Sequence, residues 1–223
     1  MDALPPATTT RLSRDVIVDA YLRIADTEGT DDITLRRLGA ELGVDPTAVY
    51  RHFRDKDEIL AVASDRVLAE AAAGLEPTGS WRQDLRALHL AVRRAYLSHP
   101  KAMLALQMHP ASMPNAERLI DRVLGLLRQA CLSDTDAAVA YEAMENYTVG
   151  TTLFDAGATE ESLEGWRRVY RSARADVLPH LVAAAPLLYR DPDAAFEYGL
   201  DLMLDGLERG AQRSEEERRE EDR

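Results

Sequence analysis

The stretch from Thr34 to Lys56 reads T-L-R-R-L-G-A-E-L-G-V-D-P-T-A-V-Y-R-H-F-R-D-K and predicts two short helices joined by a tight turn. Thr34 can cap the first helix, because its hydroxyl accepts hydrogen bonds from free backbone N–H groups. The apolar face of this helix consists of three leucines at helical spacing, Leu35, Leu38 and Leu42. Gly43 suits a left-handed residue after a helix, and Asp45 followed by Pro46 is typical of a new helix start.

The second helix is short, and its apolar residues Val49 and Phe53 lie four apart on one face. The side chains left on the outward face are Thr47, Ala48, Tyr50, Arg51 and His52. Four basic residues flank them, Arg36, Arg37, Arg54 and Lys56. An ordinary helical hairpin is the alternative, but polar and basic groups of this kind suit phosphate oxygens and base edges. The pattern therefore favours a helix-turn-helix unit, whose second helix enters the major groove of DNA.

The segment from about residue 11 to residue 60 resembles the DNA-binding domain of the TetR family of bacterial transcription regulators. The match is carried by I-T-L-R-R-L-G-A-E-L-G-V (33–44) and V-Y-R-H-F-R-D-K-D-E-I-L (49–60). Further along, F-E-Y-G-L-D-L-M-L-D-G-L-E (196–208) resembles the last helix of the tetracycline-repressor type of regulatory domain, and S-W-R-Q-D-L (80–85) resembles that type more weakly.

The resemblance implies an all-α fold in two domains. We expect a three-helix DNA-binding domain over residues 11–58 and a larger ligand-binding and dimerisation domain over 59–211. Residues 1–10 are expected to form a flexible arm, and the charged residues 212–223 a disordered tail. Outside the turn, helical patterns are expected at 13–29, 56–73, 80–96, 101–108, 115–130, 135–155, 161–184 and from 192 onward.

The resemblance also implies DNA contacts. Thr34 and Tyr50 match phosphate-contacting positions, Lys56 matches a lysine that holds the DNA backbone, and Arg36 is similar to a base-reading arginine whose fork suits guanine. The positions at which tetracycline-type repressors read bases are Pro46, Thr47 and Ala48 here, and Arg51 and His52 are further candidate readers. Since position 46 is not glutamine, the operator is expected to differ from theirs.

The overall charge does not by itself suggest DNA binding. The chain carries 27 Lys and Arg against 39 Asp and Glu, a formal net charge of −12. The basic residues near the turn are nevertheless clustered, so we expect basicity to be local and nonspecific DNA binding to be weak and salt-sensitive.

For a ligand site, the resemblance places Ala105, Phe154 and Leu88 where tetracycline repressors have a metal-binding His, a metal-binding Glu and a drug-binding Asn. A magnesium–tetracycline ligand is therefore not expected, and neither a metal nor a cofactor is predicted. A hydrophobic or aromatic effector is expected instead. Candidate lining residues are Leu88, Val92, Tyr96, Met103, Met108, His109, Met144, Tyr147 and Phe154, although any of them could simply be core. His89 and His99 are expected to be solvated or singly hydrogen-bonded.

Two helices are candidates for self-association. The expected interface residues are Ala140, Tyr147, Thr151, Phe196, Gly199, Leu200, Met203 and Leu207. The alternative is that these stripes pack inside one subunit. With the family resemblance we expect a homodimer, whose two reading helices would lie about 34–36 Å apart on a palindrome.

The cysteine content and the absence of targeting patterns limit the possible classes of function. Cys131 is expected to be a buried structural thiol, and with no secretory signal or membrane span the protein is expected in the cytoplasm. The predicted function is a dimeric repressor released from DNA by a small effector. The alternatives are an activator of the same fold and a DNA-binding protein without effector control. An enzyme using Glu142, Glu145 or His180 is disfavoured, because the sequence offers no nucleophile–base pair or metal cluster.

Overall fold

The computed structural model describes residues 11–29, 33–108 and 113–221, with side chains described outside 105–108 and 213–221. Within these ranges it contains eleven helices and no strand, as the all-α expectation requires. The helices are α1 (Arg14–Glu28), α2 (Leu35–Leu42), α3 (Pro46–Tyr50), α4 (Lys56–Ala72), α5 (Trp81–Ser98), α6 (Pro100–Met108), α7 (Pro114–Gln129), α8 (Asp134–Gly157), α9 (Glu160–Arg171), α10 (Pro179–Ala184) and α11 (Pro192–Glu221). The expected arm at residues 1–10 lies outside the described residues.

The chain divides into two compact units. The N-terminal unit comprises Met1–Leu68 and His99–Ala116, and the C-terminal unit comprises Ala69–Ser98 and Glu117–Arg223. The division differs from the boundary expected at residue 58, because α4 continues through that point and α6 groups with the N-terminal unit.

The N-terminal unit is built on the apolar face of α1, which packs against α2 and α6. The fully buried side chains at its centre are Ile17, Tyr21, Ile33, Leu38, Val49, Phe53 and Ile59. Burial of each such side chain contributes about 1.5–3 kcal/mol, so this small core is what holds the turn in place. The start of α1 is fixed by Ser13, whose hydroxyl accepts a hydrogen bond from the Val16 N–H.

The core of the C-terminal unit lies among α5, α7, α8 and α11. Its most buried members are Leu85, Leu88, Leu127, Met144, Phe196, Leu200 and Leu204. Helix α5 packs against both α8 and α11. Ion pairs also join α5 to α11, with Arg82 to Asp205 at 2.5 Å and Arg86 to Glu197 at 2.7 Å. These pairs are partly exposed and worth less than about 1 kcal/mol each, so the apolar contacts dominate.

Two helical expectations are corrected. The pattern over 161–184 predicted one helix, but α9 ends at Arg171 and α10 begins at Pro179. Proline has no N–H to donate to the preceding turn and fits the first position of a helix, so the chain restarts there. The tail expected to be disordered from residue 212 instead continues α11 to Glu221. Glutamate and arginine are good helix formers, and their spacing in E-E-E-R-R-E-E favours helix extension.

Cys131 is exposed, which corrects the expectation of a buried thiol. It lies beyond the end of α7 with φ of 63°, and its N–H donates to the Arg128 carbonyl at 2.9 Å. The residue therefore ends the helix instead of packing within it. Among the described residues, no helical segment combines the length and the hydrophobicity of a membrane span.

Candidate DNA-binding surface and the interior of the C-terminal unit

The turn between α2 and α3 is fixed by caps at each end. The Thr34 hydroxyl accepts a hydrogen bond from the Arg37 N–H at 3.0 Å, and Gly43 adopts a left-handed conformation with φ of 65°. Asp45 accepts hydrogen bonds from the Thr47 hydroxyl at 2.6 Å and the Thr47 N–H at 2.8 Å. Both bonds, the one from the hydroxyl above all, lower the pKa of the Asp45 carboxyl. The caps predicted at Thr34, Gly43 and Asp45 are all present.

Gly39 has a structural role that was not predicted from the sequence. A Cβ added to it would lie 2.9 Å from the Val44 carbonyl oxygen and 3.2 Å from the Pro46 nitrogen. The backbone of the turn therefore passes directly over α2 at this position, and only glycine leaves room for it. A glycine in the middle of a short amphipathic helix, just before a turn, was the available signal.

Helix α3 buries one face and exposes the other. Val49 and the following Phe53 are buried, whereas Thr47, Tyr50 and Arg51 are exposed. Tyr50 is 59% accessible, so its ring is available for contact with a partner. The remaining candidate contacts are half-buried: Pro46, Ala48, His52 and Lys56. Thr34 and Arg36 at the start of α2 are exposed.

The basic residues near the turn are not equivalent. Arg36 makes no ion pair with any residue in the described ranges. Arg37, by contrast, binds Glu28 at 2.7 Å and Glu41 at 2.9 Å, and these carboxylates raise its pKa. Arg54 pairs with Glu58 at 3.3 Å. The basic residues expected near DNA thus differ in their contacts. Arg37 is held by two carboxylates of its own chain, whereas Arg36 has no such ion pair in the described ranges.

Arg14 braces the end of α3 from α1. Its guanidinium stacks over the Phe53 ring at 3.9 Å and donates hydrogen bonds to the His52 carbonyl and the Glu58 carboxylate. The Glu58 carboxylate also accepts the Arg54 N–H at 2.8 Å, and this bond and the one from Arg14 lower its pKa. Arg14 is far from the turn in the sequence, so no local pattern predicted these contacts.

The interior between α5 and α8 contains polar groups. His89 is buried and has a single hydrogen-bond partner, so of the two expected states, solvated or singly hydrogen-bonded, the structure shows the second. Its Nδ1 lies 2.9 Å from the Thr148 hydroxyl, while Nε2 has no hydrogen-bond partner among the described residues. Burial lowers the pKa of His89 to about 4, so the ring is neutral near pH 7.

Arg93, one turn after His89, joins three helices. Its guanidinium is buried, stacks on the Phe196 ring at 4.7 Å, and binds Asp155 and Asp193, each at 2.8 Å. Asp155 belongs to α8, and Asp193 and Phe196 belong to α11. Arg93 therefore holds α5, α8 and α11 together from inside.

The candidate ligand residues do not form one group. Leu88, Tyr96 and Met144 are buried in the C-terminal unit, and Val92 and Tyr147 are half-buried there. Phe154 is exposed and lies against Tyr189, which removes it from an interior site. Met103 is buried in the N-terminal unit. His109 and the Met108 side chain lie outside the described part of the structure. Among the described residues, no group of three or more His, Cys, Asp or Glu side chains could hold a metal.

The predicted dimer stripe packs largely inside its own subunit. Phe196 and Leu200 are buried, and Tyr147 stacks on Phe196 with ring centroids 5.4 Å apart. The partly buried residues that pack against the same core include Ala140, Met203 and Leu207. Gly199 faces Tyr147 of its own chain. Thr151 is half-buried and donates a hydrogen bond to the Tyr147 carbonyl. Phe196, Leu200, Tyr147 and Gly199 therefore all have packing partners within their own chain.

Other apolar side chains on the same two helices are exposed. They are Val139 and Phe154 on α8, and Tyr198 and Leu202 on α11. A second exposed set on and after α9 includes Trp166, Val169 and Tyr189. An interface on α8 and α11 would use the first set, which the sequence pattern did not separate from the core.

A capped helix-turn-helix that exposes polar and aromatic groups, followed by a larger helical unit, defines a DNA-binding transcription regulator. Residues 17–63 match the family described as bacterial regulatory proteins, tetR family, and residues 73–210 match the tetracyclin repressor-like C-terminal domain. The protein belongs to the TetR family of transcription regulators.

Curated relatives agree. An HTH-type transcriptional repressor from Streptomyces coeruleorubidus is 32% identical over 213 residues, covering 88% of this chain and 77% of the relative. The class C tetracycline repressor protein from Escherichia coli is 30% identical over 205 residues, covering 89% and 92%. The relatives are regulators and repressors, not enzymes.

Solved structures share the fold over nearly the whole chain. Apo ActR from Streptomyces coelicolor is 29% identical with a TM-score of 0.77, covering 95% of this chain and all of that one. ActR in complex with actinorhodin is 28% identical with a TM-score of 0.76, covering 91% and 99%.

Proposed function

We propose that this regulator is a dimeric repressor that binds a palindromic operator and is released by a small hydrophobic or aromatic effector. The observation that carries the DNA-binding part is the geometry of α3, which buries Val49 and presents Tyr50 and Arg51 outward. A repressor that occludes a promoter requires only such a reading head and a second copy of it.

The proposed DNA contacts fall into two groups. Arg36, Arg51 and His52 read base edges, with Thr47, Ala48 and Pro46 close to the groove floor. Thr34, Tyr50 and Lys56 contact phosphates and so set the register of the helix on DNA. Arg37 is left out, because its two carboxylate partners already occupy the guanidinium.

The proposed homodimer uses the outward faces of α8 and α11. Val139, Tyr198 and Leu202 are each at least half accessible in the single chain. Apolar groups that are exposed in one subunit and lie on two adjacent helices suit a self-complementary interface. Ala140, Thr151, Met203 and Leu207 lie at the edge of this surface as half-buried contributors.

The proposed effector site lies in the interior of the C-terminal unit, where Leu88, Val92, Tyr96 and Met144 belong to α5 and α8. An apolar interior with a few polar groups is typical of small-molecule sites. ActR, a similar structure, was solved in complex with actinorhodin, which supports a small organic molecule as the effector.

Release from DNA is proposed to be a population shift. Helix α4 contributes residues to both units, so a ligand that favours a second orientation of α4 would change the spacing of the two reading helices. The ligand can act only through its differential affinity for the two states, typically about 1–3 kcal/mol of coupling.

The test is fluorescence anisotropy with DNA from the region upstream of the protein's own gene, at about 150 mM salt with nonspecific competitor. Saturable binding of the dimer is expected, weakened by Arg36→Ala and Tyr50→Ala. Arg94→Ala is the matched control, because it removes one exposed positive charge from α5 in the C-terminal unit.

If this DNA shows no preference over random sequence, selection from a genomic library replaces it. Failure to select any site, or equal losses in Arg36→Ala and Arg94→Ala, would contradict the proposed reading surface.

A further inference from the structure

In the buried ring of His89, one nitrogen has a hydrogen-bond partner and the other has none among the described residues. Nδ1 lies 2.9 Å from the Thr148 Oγ1, and that oxygen lies 2.8 Å from the Met144 carbonyl oxygen. Nε2 is buried without a hydrogen-bond partner in the described part of the chain. A buried polar atom without a partner costs about 1–3 kcal/mol, so its retention calls for an explanation.

The hydrogen-bond chain fixes which nitrogen carries the proton. The Met144 carbonyl can only accept, so the single proton of the Thr148 hydroxyl must point to it at this distance. The Thr148 oxygen is then an acceptor toward His89, and Nδ1 must carry the N–H. The opposite arrangement would leave the hydroxyl and carbonyl lone pairs facing each other at 2.8 Å. Since the ring is neutral, Nε2 is an unprotonated acceptor.

We propose that His89 Nε2 accepts a hydrogen bond from the effector, which makes the effector a neutral aromatic compound that carries a phenolic O–H or an N–H. This inference rests on the proposed effector site and narrows its ligand class. Leu88 and Met144, the apolar candidates of that site, neighbour His89 and Thr148 on the same two helices.

A trapped water is the competing occupant. A buried water needs about two to four polar partners. The nearby hydroxyls are already engaged, since Thr148 donates to Met144 and Thr152 donates to the Thr148 carbonyl at 2.5 Å. The Arg93 guanidinium, one turn away, is bound to Asp155 and Asp193. The proposed occupant is therefore a ligand that supplies a single hydrogen-bond donor on an apolar body.

The test uses three sets of probes on the full-length dimer. The two-ring set consists of 1-naphthol, naphthalene and 1-methoxynaphthalene. The one-ring and three-ring sets contain the corresponding hydroxyl, unsubstituted and methoxy compounds. Only the hydroxyl member of each set offers a donor, and the other two bracket its size. Calorimetry is expected to show the hydroxyl compound binding about 5–150-fold more tightly than both others in at least one set, the equivalent of the cost of an unpaired acceptor.

Variants assign the preference to the proposed atoms. His89→Phe keeps an aromatic ring without Nε2 and should abolish the preference. Thr148→Val removes the acceptor for Nδ1 and should weaken it, whereas Thr148→Ser keeps the hydroxyl and should restore it. In protein labelled with ¹⁵N-histidine, the Nε2 resonance should report an unprotonated nitrogen and shift when 1-naphthol or its analogue binds.

The inference is overturned if no hydroxyl probe binds the native protein more tightly than His89→Phe, whether all bind equally or none binds. It is also overturned if Nε2 carries the proton in the free protein. Operator affinity measured on the same native preparation separates the two proposals. A probe that binds through His89 but leaves operator affinity unchanged would contradict effector control alone, and operator binding without any hydroxyl preference would contradict this inference alone.

Discussion

Tyr147 of α8 lies directly against Gly199 of α11, within one subunit. A Cβ added to Gly199 would be 2.0 Å from the phenol oxygen and 2.6 Å from Cζ. The Tyr147 hydroxyl donates a hydrogen bond to the Phe196 carbonyl at 3.0 Å, and its ring stacks on the Phe196 ring. The glycine is therefore required where two helices of the same chain approach closely.

Gly199→Ala should lower the free energy of unfolding by about 1–3 kcal/mol, because the added methyl group displaces a ring that is both stacked and hydrogen-bonded. Urea unfolding at fixed protein concentration measures the change. Gly125→Ala on α7 is the control, since a Cβ there meets nothing within 4 Å and should be neutral or stabilising. Equal behaviour of the two variants would show that Tyr147 can move away at no cost.

The Tyr147–Gly199 pair shows that a sequence pattern can predict a close helix approach without identifying the partner helix. The glycine pattern on the last helix indicated a close helix approach, and a close approach exists. Periodicity identifies an apolar face but carries no information on whether its partner is the same chain or a copy. The sequence pattern therefore did not distinguish Phe196 and Leu200, which are buried within the chain, from Tyr198 and Leu202, which are exposed on the same helix.

Gly39→Ala should disturb the turn, because its Cβ would lie 2.9 Å from the Val44 carbonyl oxygen, a rigid backbone atom. We expect a loss of about 1–3 kcal/mol in stability of the N-terminal unit and weaker operator binding, since α3 must shift relative to α2. Anisotropy titration and thermal unfolding check the two effects. Ala40→Ser, at the exposed neighbouring position, is the control. Unchanged operator affinity in Gly39→Ala would mean that the turn tolerates a larger separation.

The turn itself could be predicted almost completely, because its determinants are local. The caps at Thr34 and Asp45 act within three residues, so the sequence reveals them directly. The contacts of Arg14 with Phe53 and Glu58 span about forty residues, so no local sequence pattern could predict them. The same limit hid the interior role of His89, whose partner Thr148 lies on another helix.

Arg93→Ala should destabilise the C-terminal unit by about 3 kcal/mol, because it leaves Asp155 without its buried partner and removes packing on Phe196. Arg93→Lys should recover only part of this loss, since an ammonium cannot bind two carboxylates and stack on a ring as a guanidinium does. Arg94→Ala, at the next and exposed position, is the matched control and should change stability by less than about 0.5 kcal/mol. A lysine variant as stable as the native protein would indicate that charge alone holds the three helices.

Stability should fall as the pH is lowered from about 6.5 to about 4, through the titration of His89. Burial lowers the pKa of His89 to about 4 in the folded protein, while an unfolded histidine titrates near 6.5. Between these values the unfolded chain binds the extra proton, so the free energy of unfolding rises with pH and is lost as the pH falls. The loss amounts to at most about 3 kcal/mol per subunit. Urea unfolding at several pH values, at one protein concentration, should show this slope in the native protein and its reduction in His89→Phe. His180→Gln, which removes an exposed histidine, should leave the slope in place. Carboxyls with a lowered pKa, such as Glu58, leave a residual slope in His89→Phe. A slope in His89→Phe equal to that of the native protein would contradict a neutral, buried His89.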